Sequence, residues 1–174
     1  EVGRSGSGTL LIENGGTVSN TDGLIGSLTG STGNVTVDGT GSSWTNNYLH
    51  VGSNGDGTLT IQNGGSVDSF SMLIGASTGT TGDVTIDGSG SNATSNGIDV
   101  GRYGNGTLTI QNGGSVVSND IGYIGHFDTV TGIATVNGTG SSWTSTSNLE
   151  IGRYGNGTLN VQSGGQVTNV DGYL

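Results

Sequence analysis

The 174-residue chain has no cysteine, no proline and no lysine. Without cysteine there is no disulfide framework and no thiolate metal site, an absence compatible with an exported bacterial chain that crosses membranes unfolded. Without lysine, the only cations besides two histidines are Arg4, Arg102 and Arg153; against 13 acidic residues they leave a formal charge of −10. That balance excludes the basic footprint needed for nucleic acid or anionic lipid. Aromatic residues are 5% and charged residues 9% of the chain, so an ordinary compact globule with one round core is not expected. No apolar run is long enough to span a bilayer as a helix, and no signal peptide is recognisable.

What the chain has instead is glycine, 38 of them, placed at regular intervals. Gly104 to Val116 reads Gly-Asn-Gly-Thr-Leu-Thr-Ile-Gln-Asn-Gly-Gly-Ser-Val, and near copies run from Gly6 to Val18, Gly55 to Val67 and Gly155 to Val167. A second, related block runs from Gly33 to Trp44, Gly82 to Gly90 and Gly132 to Trp143. The marker glycines are Gly8, Gly33, Gly57, Gly82, Gly106, Gly132 and Gly157. The unit is therefore a coil of about 25 residues, seven in all, alternating between an A and a B version.

Each coil contains three short strand candidates. In Thr58-Leu59-Thr60-Ile61-Gln62, apolar and polar residues alternate with the period of a half-buried strand. Asn63-Gly64-Gly65 then turns the chain through residues that accept positive φ. A second strand centres on Val67 and a third ends at Leu73-Ile74-Gly75. Strands this short are stable only when paired with their counterparts in the coils above and below. The predicted fold is all-β, a right-handed parallel β-helix (β-solenoid) over 1–174, with the hand taken from the general rule for parallel crossovers. Its expected core columns include Leu59, Val84 and Leu108; Ile61, Ile86 and Ile110; and Ile74, Val100 and Ile124. The chain starts at Glu1-Val2-Gly3 and ends at Tyr173-Leu174, both inside a repeat, so it is expected to be a piece of a longer solenoid.

The combination of Gly-Thr-Leu-Thr-Ile-Gln-Asn-Gly-Gly, Leu-Ile-Gly and Val-Thr-Val-Asp-Gly-Thr-Gly-Ser-Ser-Trp-Thr resembles the type V secretion/PEP-CTERM-associated repeat of bacterial autotransporter passengers. The resemblance covers essentially the whole chain and departs from the pattern at Ser91-Asn92-Ala93-Thr94, where tryptophan is expected. Local repacking or a small cavity is anticipated there. The resemblance implies a solenoid displayed on the bacterial surface or secreted, common in adhesins, with a host cell-surface or matrix protein, or the chain itself, as partner. It does not imply a catalytic residue, and no cofactor is expected.

Several residues are candidates for more than scaffolding. Tyr103 and Tyr154 sit in identical Gly-Arg-Tyr-Gly-Asn-Gly loops beside Arg102 and Arg153, and exposed Tyr and Arg are common interface anchors. The alternative is that each Arg pairs with Asp99 or Glu150 and each Tyr covers corner glycines. His126, Phe127 and Asp128 open the segment to which the extra length of the last period, 51 residues in place of 49, is assigned. Phe70-Ser71-Met72 is a further distinctive patch. Trp44 and Trp143 either fill the interior or grip a sugar. Asp38, Asp87 and Asn137 precede a glycine, as in Asx turns; calcium would need several converging oxygens. His50 and His126 lack a companion at ligand spacing. The Thr-x-Thr strands form an outward ladder that suits ice or a polysaccharide as well as a plain exposed strand. No close carboxylate pair or catalytic cation breaks the repeat, so an enzyme is not expected. Open coil ends predict end-to-end or side-to-side self-association.

Overall fold

The computed structural model describes residues 1–173, and among them every residue in regular structure is in a β-strand. Two parallel sheets face each other. The first holds seven strands of seven residues: Ser7–Glu13, Thr32–Asp38, Asp56–Gln62, Thr81–Asp87, Asn105–Gln111, Thr131–Asn137 and Asn156–Gln162. Each pairs with its counterparts one coil away, marker glycine against marker glycine, as in Gly57 opposite Gly33 and Gly82. The result is the expected β-solenoid of seven coils.

The second sheet corrects the expectation of three strands per coil. In the first four coils the second and third strands are one nine-residue strand, as in Ser43–Val51 and Ser66–Ile74. Burial reveals a corner within it. Trp44, Asn46, Leu49 and Val51 are buried, so the inward positions step by two, three and two. The middle step of three turns the chain without ending the strand. In coils five and six the strand does divide, into Ser115–Ser118 with Gly122–Ile124 and Ser142–Ser145 with Leu149–Ile151. In these two coils the division accompanies one added residue at the corner: Val116 to Ile124 spans eight positions where Val67 to Ile74 spans seven, and Trp143 to Ile151 likewise. The end coil divides as well, into Gln166–Thr168 and Gly172–Tyr173, without an added residue. The two added residues account for the last period of 51. The extra length therefore lies at 119–121 and 146–148, not in the segment beginning at His126. That segment, from Gly125 to Gly132, is as long as Gly75 to Gly82.

The predicted columns form the core. Leu59, Val84 and Leu108, then Ile61, Ile86 and Ile110, then Ile74, Val100 and Ile124 are all at most 1% exposed. Val161, in the last coil, is 48% exposed. Where the two sheets converge, the marker glycines meet the corner glycines backbone to backbone. A Cβ on Gly57 would lie 2.2 Å from Gly52 N, and one on Gly82 would lie 2.2 Å from Val51 O. No larger residue fits this edge.

Turns and caps follow from side-chain chemistry. Asn63 (φ 53°) and Gly64 (φ 87°) take the two left-handed positions of a tight turn closed by Gly65 N–H to the Gln62 carbonyl at 3.0 Å. The Gly64 N–H donates to Ser91 Oγ (3.0 Å), as Gly15 does to Ser42 and Gly113 to Ser141. These three serines are fully buried. Asp38 and Asp87 correct the Asx-turn expectation. Their carboxylates reach the next coil, accepting from Gln62 and Asn63 (3.1 and 2.8 Å) and from Gln111 and Asn112 (3.0 and 2.7 Å).

Trp44 and Trp143 belong to the interior, 2% and 0% exposed. Their indole N–H groups donate to Asn20 Oδ1 (2.7 Å) and Ser118 Oγ (3.2 Å), as buried indoles require. Each ring occupies the space of a glycine one coil earlier: a Cβ on Gly23 would meet Trp44 at 2.9 Å, and one on Gly122 would meet Trp143 at 3.2 Å. At the departure from the pattern, Ala93 stands in the Trp column and Met72 in the glycine column, both 1% exposed. The anticipated repacking is thus a small-for-large exchange between coils. Met72, offered above within a surface patch, is core; Phe70 beside it is 58% exposed. Ala93→Trp alone should cost about 1–3 kcal/mol by overpacking. Ala93→Trp with Met72→Gly should recover most of that, a coupling measurable as a double-mutant cycle in urea unfolding.

Candidate functional site

Register brings the candidate residues together at one corner of coils four to six. The His126 N–H donates to the Gly101 carbonyl (2.9 Å), so the loops after Gly101 and Gly125 stack directly. Arg102 and His126 thereby become column neighbours, as do Tyr103 and Phe127. Tyr103 stacks on Phe127 at 4.5 Å, Phe127 on His126 at 4.1 Å, and His126 on Tyr123 at 3.8 Å, all within 16° of parallel. The Arg153 guanidinium then lies 5.3 Å from the ring centres of both Tyr123 and Tyr154 and donates to Tyr123 Oη (3.0 Å). Arg102 covers Tyr103 and Phe127 at 5.4 and 5.8 Å. Two patches that look separate in sequence, the Arg-Tyr stripe and the His126 segment, are one surface.

Beneath the stack lies Asp99, whose side chain is 7% exposed. Its Oδ2 accepts from Arg102 Nη1 (2.8 Å) and faces His126 Nδ1 (3.1 Å). Arg153 pairs with Glu150 at 3.5 Å and Arg4 with Glu1 at 3.4 Å. The expected Arg-carboxylate pairing is therefore present at all three arginines, together with the aromatic display at Arg102 and Arg153. Tyr103 (44%) and Tyr154 (61%) remain exposed. Asp128 is exposed on the same turn but outside the stack, and His126 is buried within it.

Sequence reasoning missed Tyr123, which reads as an ordinary strand residue before Ile124. The available signal was its column: Leu24, His50, Leu73, Asp99, Tyr123 and Glu150 occupy equivalent outward positions. Burial pushes the Tyr123 hydroxyl above its ordinary value of 10.0, against the opposing pull of Arg153. A second exposed aromatic pair, Tyr48 and Phe70, meets edge to face at 6.3 Å on the corner of coils two and three.

Comparisons with protein-family models, curated proteins and solved structures gave no match to the chain. The stack's own geometry therefore carries the functional argument. Its rings are held rigid by one another and by two guanidiniums, so presenting them to a partner costs little further side-chain entropy.

Arg102→Ala should lower stability by roughly 2 kcal/mol, because Asp99 is left buried without its cation. Arg102→Ala with Asp99→Asn should regain part of the loss. Arg153→Ala, at an exposed pair, should leave the urea midpoint unchanged.

His50 supplies a pH dependence. Burial first, then Arg102, holds its pKa below the ordinary 6.5, with Asp22 acting the other way. The folded state keeps the imidazole neutral where the unfolded chain would charge it. Its contribution is therefore present above pH 6.5 and lost as pH falls from there toward the folded value. The thermal midpoint should fall between about pH 7 and 5, and His50→Leu should flatten that slope.

Proposed function

We propose that this chain is a solenoid segment of an exported bacterial protein of the autotransporter-passenger type. It acts as an adhesin or receptor-binding factor through the corner built by Arg102, Tyr103, Tyr123, Phe127, Arg153 and Tyr154. The observation that carries this reading is the place where the repeat stops repeating. The corner after Gly3 carries Arg4 but no ring, and at the next three corners the positions equivalent to Arg102 and His126 hold Ser27, Ser53 and Ala76, and those equivalent to Tyr103 and Phe127 hold Leu28, Asn54 and Ser77. Small and mostly polar residues suffice to build this corner, so the arginines and rings of coils four to six are additional to the fold. Tyrosine and arginine at a rigid, exposed centre have the composition of binding hot spots. A protein on another cell's surface or in its matrix is the partner this chemistry suits. The repeat resemblance supports export and surface display.

A structural stalk or self-associating element is the second reading, favoured by one regular column on the outer face of the seven-residue strands. There Thr36, Thr60, Thr85, Thr109 and Thr135 follow one another in register without a distinguishing residue.

The test combines mass in solution over a wide concentration range with a capture screen against matrix proteins and receptor ectodomains. A monomer that captures a partner, and loses affinity by more than about 30-fold when Tyr103 and Phe127 become Ser, supports the binding reading. Concentration-dependent oligomers with no captured partner would favour the stalk.

A further inference from the structure

Beside the aromatic stack, a groove of about 200 Å³ crosses coils three to five. Its size decides what class of ligand to consider. Sites for whole small molecules begin at ~300 Å³, so this one fits a single side chain. Leu73, Ile121 and Tyr123 supply apolar wall, and Gly97 lies between them. Arg102 and Asp99 also line the groove but satisfy each other at 2.8 Å. Asp120 differs. It sits in the corner lengthened by one residue, is exposed, and accepts only the N–H of Ile121 at its Oδ1 (2.8 Å). Among the described residues no cationic side chain pairs with it.

We propose that this groove receives one arginine or lysine side chain of the protein partner, its methylenes against Leu73 and Ile121 and its cationic head on Asp120. The inference rests on the binding reading above and adds the partner's chemistry: a basic residue seated next to the ring stack. Long basic side chains lay their stems on apolar surface while the head stays in contact with polar groups. The net charge of −10 attracts such a segment from a distance, and the groove selects where it docks. The added residue of coil five comes with Asp120, whereas the equally lengthened corner of coil six holds Thr146, Ser147 and Asn148 and no carboxylate. The corner of coil three, without the added residue, runs through Phe70 and Ser71 as one continuous strand.

Gly97 provides a clean test. A Cβ there meets nothing closer than Ile121 O at 4.0 Å, and Gly97 is not among the left-handed glycines. Gly97→Val should therefore fill the groove and leave the fold intact, as its unfolding midpoint will report. The isotope-labelled chain is titrated by NMR with N-acetyl-arginine amide and N-acetyl-lysine amide. Expected are amide shifts concentrated at Gly97, Asp120 and Ile121. Asp120→Asn should weaken binding by about threefold to fivefold, and Gly97→Val should remove the local shifts. Asp68→Asn, an equal charge change on an exposed strand position, should leave them in place. Shifts spread evenly over Asp56, Asp68 and Asp83, or a Gly97→Val chain that binds like the parent, would overturn the proposal. A captured protein partner insensitive to Gly97→Val but lost on replacing Tyr103 and Phe127 would sink the groove alone and leave the binding reading standing.

Discussion

The structure depends on one contact: backbone passing backbone where the two sheets converge. Seven marker glycines lie against seven corner glycines, and at most of them an added Cβ would fall within about 2.3 Å of a neighbouring main-chain atom, which no rotamer change relieves. Because this edge closes to backbone thickness, the space between the sheets is narrow. A few columns of Leu, Ile and Val fill it. A chain only 29% hydrophobic can then possess a continuous core, because its apolar residues are spent in register and the core lengthens with each coil without widening.

A narrow core leaves many polar groups near it, and each corner handles them with a ladder of its own. Inside the second sheet's bend, Asn46, Ser69, Ser95, Ser118 and Ser145 are buried in succession. Ser69 bonds Ser95, Ser118 accepts from the Trp143 indole, and Ser95 and Ser145 donate to main-chain carbonyls of the bend; Asn46 Oδ1 accepts from Asn20, while its own buried Nδ2 has no partner among the described residues. At the opposite end, buried serines hold the Asn-Gly turns and carboxylates clamp the next coil's Gln-Asn pair. Buried polar groups that find partners stabilise the fold, and those that do not carry the full cost of desolvation. The corners are therefore as specific as the core.

Register and core columns were legible in the sequence because they need only periodicity: once Leu59 and Ile61 alternate, their neighbours every 24 or 25 residues follow. The corners were less so. The period of 51 shows that residues are added but not where; only the length counted from Val116 to Ile124 places one at the bend and not in the segment after Gly125. The burial of Asn46 and Ser69 was not legible, because the three-residue step inside a strand shifts the phase of burial. The arginines and tyrosines were recognisable as a stripe, but Tyr123 was not, since its role comes from Arg153 and His126 in three dimensions. A Trp column interrupted by Ala93 could be seen; its compensation by Met72 required knowing which positions face each other across a coil.

The serine latch has a consequence for how such a chain grows. Ser42, Ser91 and Ser141 all belong to B coils, and each secures the turn of the A coil before it; the tryptophan-for-glycine exchange runs in the same direction. Asp38 and Asp87, also in B coils, clamp the A coil that follows. A single coil inserted or lost would set A against A or B against B and mismatch every one of these devices at the junction. The heritable cassette is therefore the pair, and recombination that lengthens or shortens this rod can do so cleanly only in steps of two coils, each step moving the aromatic corner by a fixed distance along the axis.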